Sequence, residues 1–89
     1  MKIELRKFGK ILISRPAGKE ALLAIRPVLK DFGRDEGIEL DFEGVASMGP
    51  SWADEFVTPL KKEFGNKITL SHTENSSLKA TLEFLESIS

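Results

Sequence analysis

Asp41-Phe-Glu-Gly-Val-Ala-Ser-Met-Gly-Pro-Ser-Trp-Ala-Asp-Glu-Phe56 decides the fold, because it carries the chain from the end of a strand into the start of a helix. Upstream, Ile38, Leu40 and Phe42 alternate with Glu39, Asp41 and Glu43, the period of a strand with one apolar face. Downstream, Trp52, Phe56, Leu60 and Phe64 recur every four residues, with Ala53 and Val57 beside them. That spacing predicts a helix from Ser51 to Gly65, perturbed at Pro59. Gly44 to Pro50 is rich in turn-forming residues and reads as the connection. In open α/β sheets, ligands and reactive groups gather at this carboxyl edge of the strands.

The flanking segments follow the same logic. Ile3 and Leu5 alternate with Lys2, Glu4 and Arg6, predicting a first strand, and Lys10 to Ser14, centred on Ile11, Leu12 and Ile13, predicts a second. Phe8-Gly9-Lys10 is short enough for a hairpin, with Gly9 at positive φ, so these two strands are expected to pair antiparallel. From Pro16 the period changes, and Leu22, Ile25, Leu29 and Phe32 fall on one helical face. Pro27 is expected to kink or split that helix, and Gly33 to cap it. Ile68 and Leu70, alternating with Lys67, Thr69 and Ser71, predict a fourth strand. A last helix starts near Asn75 or Ser76 and carries Leu78, Leu82, Leu85 and Ile88 on one stripe. The order is ββαβαβα. Strands separated by helices cross over to parallel neighbours, and clean alternation predicts one open sheet face. The expected architecture is therefore α/β and two-layered, a mixed four-stranded sheet with helices on one face.

Composition narrows the function. The 89 residues form a single domain over 1–89, without linker, repeat or low-complexity tract. With 13 Lys plus Arg against 14 Asp plus Glu, the net charge of −1 argues against a nucleic-acid binder. The absence of cysteine removes disulfides, thiolate zinc sites and a cysteine nucleophile, and one histidine removes a multi-histidine metal site. There is neither an apolar run long enough for a membrane span nor a signal-peptide pattern, so a cytoplasmic protein is expected.

Several residues carry alternative readings. Ser51 stands where a helix N-cap belongs, with Asp54 three residues on in a capping-box-like arrangement. Alternatively, Ser51 is a phosphorylation acceptor, its phosphate drawn to the helix amides and repelled by Asp54 and Glu55. Trp52 is either a core residue beside Phe56 or an interface anchor. Asp41 and Glu43, with Asp54 and Glu55 nearby in sequence and Arg15 as the candidate charged partner, allow a Mg²⁺-dependent phosphate-processing enzyme, although alternation on an exposed sheet face explains Glu39, Asp41 and Glu43 without a metal. Gly18-Lys19 fails as a phosphate loop, since Glu20 stands where Ser or Thr is needed. Arg6, Lys7 and Lys10, and Lys61, Lys62 and Lys67, read as solvated turn charges. His72 alone packs or hydrogen-bonds, and Gly33-Arg-Asp-Glu-Gly37 is a charged connection.

The segment Ile38-Glu-Leu-Asp-Phe-Glu-Gly-Val45, then Met48, then Ser51 opening a helix, resembles the STAS family of bacterial anti-sigma factor antagonists. It is more similar still to a STAS-like subgroup of uncharacterised function. The shared features there are Ser14-Arg15 after the second strand, Asp41 to Val45 as Asp-Phe-x-Gly-Val, and Ser51 to Glu55 as Ser-aromatic-Ala-Asp-Glu. The resemblance spans roughly Phe8 to Leu85. It implies that Ser51 falls on the family's phosphorylatable serine and Met48 on the apolar residue three before it. Gly49 and Pro50 stand where the antagonists usually have Asp-Ser. A full STAS domain continues past the fourth strand and its helix, so an open sheet edge is expected.

By this resemblance the chain is a non-catalytic regulatory module without cofactor or metal. Val45, Ser47, Met48, Gly49, Pro50, Ser51, Trp52, Asp54 and Glu55 would contact a protein partner. That partner would be a serine kinase or ATPase of the histidine-kinase-like fold, or an anti-sigma-like regulator. A homodimer stays open, nucleic acid and membrane are not expected as partners, and a constitutive assembly subunit is the alternative to a phosphorylation switch.

Overall fold

Ile3, Leu40 and Leu70 lie side by side on three parallel strands, and this row sets the floor of the core. The computed structural model describes residues 1–31 and 36–88. Strands β1 (Lys2–Glu4), β3 (Ile38–Asp41) and β5 (Ile68–Ser71) form one sheet in the order β1-β3-β5. A second small parallel sheet joins β2 (Ile11–Leu12) to β4 (Ser47–Met48). Helices α1 (Arg15–Asp31), α2 (Pro50–Phe64) and α3 (Ser76–Ile88) complete the domain. Their buried residues, among them Leu22, Ile25, Phe56, Leu60 and Leu78, share one cluster with Ile3, Ile38 and Leu40. The helices therefore cover the apolar face. The opposite face carries Lys2, Glu4, Glu39, Asp41, Thr69 and Ser71, as strand alternation requires.

The expected mixed four-stranded sheet is thus corrected: the described residues form five strands in two sheets, every pairing among them parallel. The first two strands do not form a hairpin. Between them Leu5–Phe8 is a 3-10 turn that buries Leu5 completely and lays the Phe8 ring beside Trp52 and Phe56. Burying these apolar residues outcompetes a tight solvent-facing reversal. Gly9 does take positive φ, at 129°. The turn-rich connection before α2 contains β4, a two-residue strand too short to show alternation.

Pro27 does not split α1, which runs without interruption from Arg15 to Asp31. Its ring removes a hydrogen bond and strains the helix by ~3 kcal/mol in an isolated setting. Here Leu22, Ile25 and Leu29 anchor both halves in the core while Pro27 faces solvent. Ser14 caps the helix, its Oγ accepting from the Ala17 amide at 3.2 Å. Phe32 and Gly33, expected to complete and cap α1, lie outside the described residues, as does most of the charged connection that follows. On α3, Leu78 and Leu85 are buried and Leu82 half-buried, but Ile88, expected on the same stripe, is exposed.

Candidate functional site

The start of α2 is built by three braces, and each uses residues that the sequence places far apart. The first holds β4. Asn75, which caps α3 by accepting from the Ser77 and Leu78 amides, also donates to the Ala46 carbonyl at 2.8 Å. Ser77 Oγ accepts from the Met48 amide at 3.3 Å and Thr81 Oγ1 donates to the Met48 carbonyl at 2.5 Å. Side chains of α3 thereby close the edge of β4 that β2 does not pair. None of these residues carries a motif, and only the fold brings them to β4.

The second brace is Gly18. A Cβ there would stand 2.6 Å from the Trp52 carbonyl oxygen and 3.0 Å from its Cα. α1 therefore lies directly on the backbone of the first turn of α2. Only glycine permits that approach.

Arg15 makes the third. Its guanidinium donates to Glu55 at 2.7 Å and to Asp54 at 3.2 Å, tying the N-terminus of α1 to that of α2. These hydrogen bonds, first to Glu55 and then to Asp54, raise the Arg15 pKa above its ordinary value. The pair Ser14-Arg15 and the stretch Ser51 to Glu55 thus meet in space.

Within this frame the residues expected to bind a partner divide in two. Val45, Met48 and Trp52 are buried in the core. Trp52 stacks on Phe56 with ring centres 4.8 Å apart, so the core reading holds and the tryptophan does not stand out as an anchor. Ser47, Gly49, Pro50, Ser51, Asp54 and Glu55 reach the surface to differing degrees. Ser51 is not the N-cap. Gly49 takes that position in an extended conformation, Pro50 opens the helix, and Ser51 is its second residue. Proline fixes φ and has no amide to satisfy, so the helix begins one residue before the serine. The capping-box pairing of Ser51 with Asp54 is likewise replaced by the Arg15 bridge. Ser51 Oγ bonds no described residue.

A second polar cluster lies where β3 and β5 end. Asp41 is only 2% exposed, although it is on the open sheet face. Its Oδ1 accepts from the Glu43 amide at 3.0 Å and meets His72 Nδ1 at 2.7 Å, and its Oδ2 faces Lys2 Nζ at 3.3 Å. The Glu43 amide, with His72 and Lys2, holds the Asp41 carboxyl down to about 2 against the opposing effect of burial. The hydrogen bond to Asp41 in turn raises His72 above its ordinary value. His72 adopts positive φ, 57°, to reach this carboxylate. Asp41, Glu43 and His72 place one ligand atom each within 4.8 Å of one another. Both oxygens of Asp41 are nonetheless already engaged by protein donors. A cation there would share this carboxylate with Lys2 and His72.

No described helix is long and apolar enough to cross a membrane. A family described as a STAS-like domain of unknown function matches residues 18–78. Neither the curated proteins nor the solved structures yield a match.

Proposed function

The chain belongs to this STAS-like family, and from that premise we propose that it is a regulatory protein–protein interaction module without catalysis of its own. In this reading it docks a protein through Ser47, Gly49, Pro50 and Ser51, with Asp54 and Glu55 beside them, and phosphorylation of Ser51 is the switch. The observation that carries the reading is the unbonded hydroxyl of Ser51 on the first turn of α2. With Gly49 and Pro50 starting the helix, the hydroxyl has no capping duty and can be modified without loss of a helix cap.

A phosphate at Ser51 would gain the open amides and positive dipole end of α2. It would also add about −1.5 to −2 charges near Asp54 and Glu55, and compete with them for Arg15. That competition is how a local charge becomes a change of the docking surface. The reading takes the kinase to be a serine kinase or ATPase of the histidine-kinase-like fold, with an anti-sigma-like regulator as the other partner. The protein donors already on both oxygens of Asp41 favour this reading over a metal-dependent phosphate enzyme.

The test combines labelling and capture. Incubation with the cognate kinase should label the wild type and not Ser51→Ala, and Ser51→Asp should retain the partner on the order of tenfold less, about 1.4 kcal/mol. Label at another residue overturns the switch. Equal capture by wild type, Ser51→Ala and Ser51→Asp assigns a constitutive assembly surface instead.

A further inference from the structure

The outer edge of β2 differs from the other outer edge built by the N-terminal strands. In the β2–β4 ladder, the amides of Ser47 and Gly49 bond the carbonyls of Lys10 and Leu12 at 3.1 and 2.8 Å. Lys10 and Leu12 therefore turn their backbone groups toward β4. Alternation turns the amides and carbonyls of Ile11 and Ile13 the other way, and no turn, loop or cap hydrogen bond from the described residues reaches them. Their side chains are 64% and 58% exposed.

β1 is also an outer strand, but a guarded one. The Glu39 amide bonds the Met1 carbonyl at 2.8 Å, so the outward backbone groups belong to Lys2 and Glu4. Both residues are charged, Lys2 facing Asp41 and Glu4 facing Arg6. Charges on an edge resist pairing with another chain. β2 carries two isoleucines in their place.

We propose that the Lys10–Ser14 edge pairs antiparallel with the same edge of a second copy of the chain, about a two-fold axis at Leu12. The segment is self-complementary in this register. Ile11 stands opposite the partner's Ile13, and Ile13 opposite the partner's Ile11. The residues that exchange backbone hydrogen bonds are thus the ones whose groups point outward. The same pairing places the exposed isoleucines of both copies on one face, where β-branched cross-strand neighbours stabilise a sheet.

Charge fits as well. Lys10 makes no ion pair with a described residue of its own chain and falls opposite the partner's Ser14. One residue further, the partner's Arg15 is bound to two carboxylates, so that cluster keeps one net negative charge. Lys10 meets that excess. An isologous contact of this kind closes as a dimer and does not propagate. The proposal does not depend on docking at Ser51, although Gly49 packs against Ile13 and so lies beside the new interface.

Sedimentation equilibrium and amide exchange test the proposal together. With concentration raised to about 1 mM, where small interfaces become populated, the mass of the wild type should climb from 9.9 kDa toward twice that value. Over the same range the Ile11 and Ile13 amides should gain protection, while those of Lys2 and Glu4 should not. Ile11→Lys and Ile13→Lys, both at exposed positions, should keep the wild-type circular dichroism and remain at the monomer mass. Should either fail to fold, Ile11→Thr and Ile13→Thr preserve the β-branch and should still weaken association. A wild type that stays at 9.9 kDa throughout overturns the proposal. So does a dimer that survives these substitutions, or one in which the Ile11 and Ile13 amides exchange freely.

Discussion

Gly18→Ala should destabilise the protein even though it improves the helix. In an exposed helix interior, replacing glycine by alanine stabilises by about 1 kcal/mol, through propensity and a less flexible unfolded chain. Gly18 is buried, and the new methyl would stand 2.6 Å from the Trp52 oxygen, 3.0 Å from Trp52 Cα and 3.2 Å from Glu55 Cβ. Carbon contacts are comfortable at about 3.5–4.0 Å, so α1 and α2 must separate by roughly 1 Å. Overpacking of this kind costs about 1–3 kcal/mol. The two closest atoms are backbone and cannot rotate aside, which places the cost in the upper part of that range. The net loss is about 1–2 kcal/mol, equivalent to a fall in Tm of roughly 5–15 °C for a domain of this size. Urea unfolding followed by circular dichroism should therefore show a lower midpoint with an unchanged slope. An alanine variant as stable as the wild type, or more so, would refute the close helix crossing and the clamp built on it.

His72, as the single histidine, can be titrated by NMR without ambiguity, and its midpoint should lie above 6.5 and move back toward it in Asp41→Asn. A raised folded pKa means that the His72 contribution is complete below pH 6.5 and fades as pH rises through the folded value. The Asp41 contribution has the opposite sense, present above about pH 4 and lost as pH falls toward 2; a stability profile flat across both windows would contradict the pairing. Thr81→Val should cost about 1–3 kcal/mol in chemical unfolding, because it leaves the buried Met48 carbonyl without its donor. An unchanged midpoint would show that α3 does not hold β4.

Periodicity made most of the fold legible. The stripes Leu22-Ile25-Leu29 and Trp52-Phe56-Leu60, and the alternation in Ile38-Glu-Leu-Asp41, each report burial through a spacing of their own, and each marks a real element. What stayed illegible has a physical cause. β2 and β4 have two residues apiece, and a period cannot be read from two positions. Leu5 and Phe8 look like the end of a strand and a turn, yet their burial bends the chain into a 3-10 turn and removes the hairpin. At the site, Ser51 carries the side chain of a good cap, but Pro50 is the better first residue of a helix and the start moved upstream. The roles of Gly18, Asn75, Ser77 and Thr81 arise from contacts across some thirty residues of chain, as with the 2.5 Å bond from Thr81 to Met48. No local pattern encodes these.

The residues around this corner can therefore be sorted by what the fold consumes. Ser14 caps α1, Arg15 ties α1 to Asp54 and Glu55, and Gly18 lets α1 rest on the Trp52 backbone. Val45, Met48 and Trp52 fill the core beneath. Each of these residues has a task that would be the same whether or not a partner exists. Gly49, Pro50 and the Ser51 hydroxyl are different. Gly49 and Pro50 set where the helix begins, and in doing so they relieve Ser51 of a capping role. Ser51, on the first turn near the Arg15 bridge to Asp54 and Glu55, makes no hydrogen bond to a described residue. In the proposed reading its use is chemical, as a group whose charge can change while the frame around it stays folded. Under the proposed switch Arg15 would make the change consequential, because Asp54 and Glu55 both bond its Nη1 and an added phosphate would draw on the same positive charge.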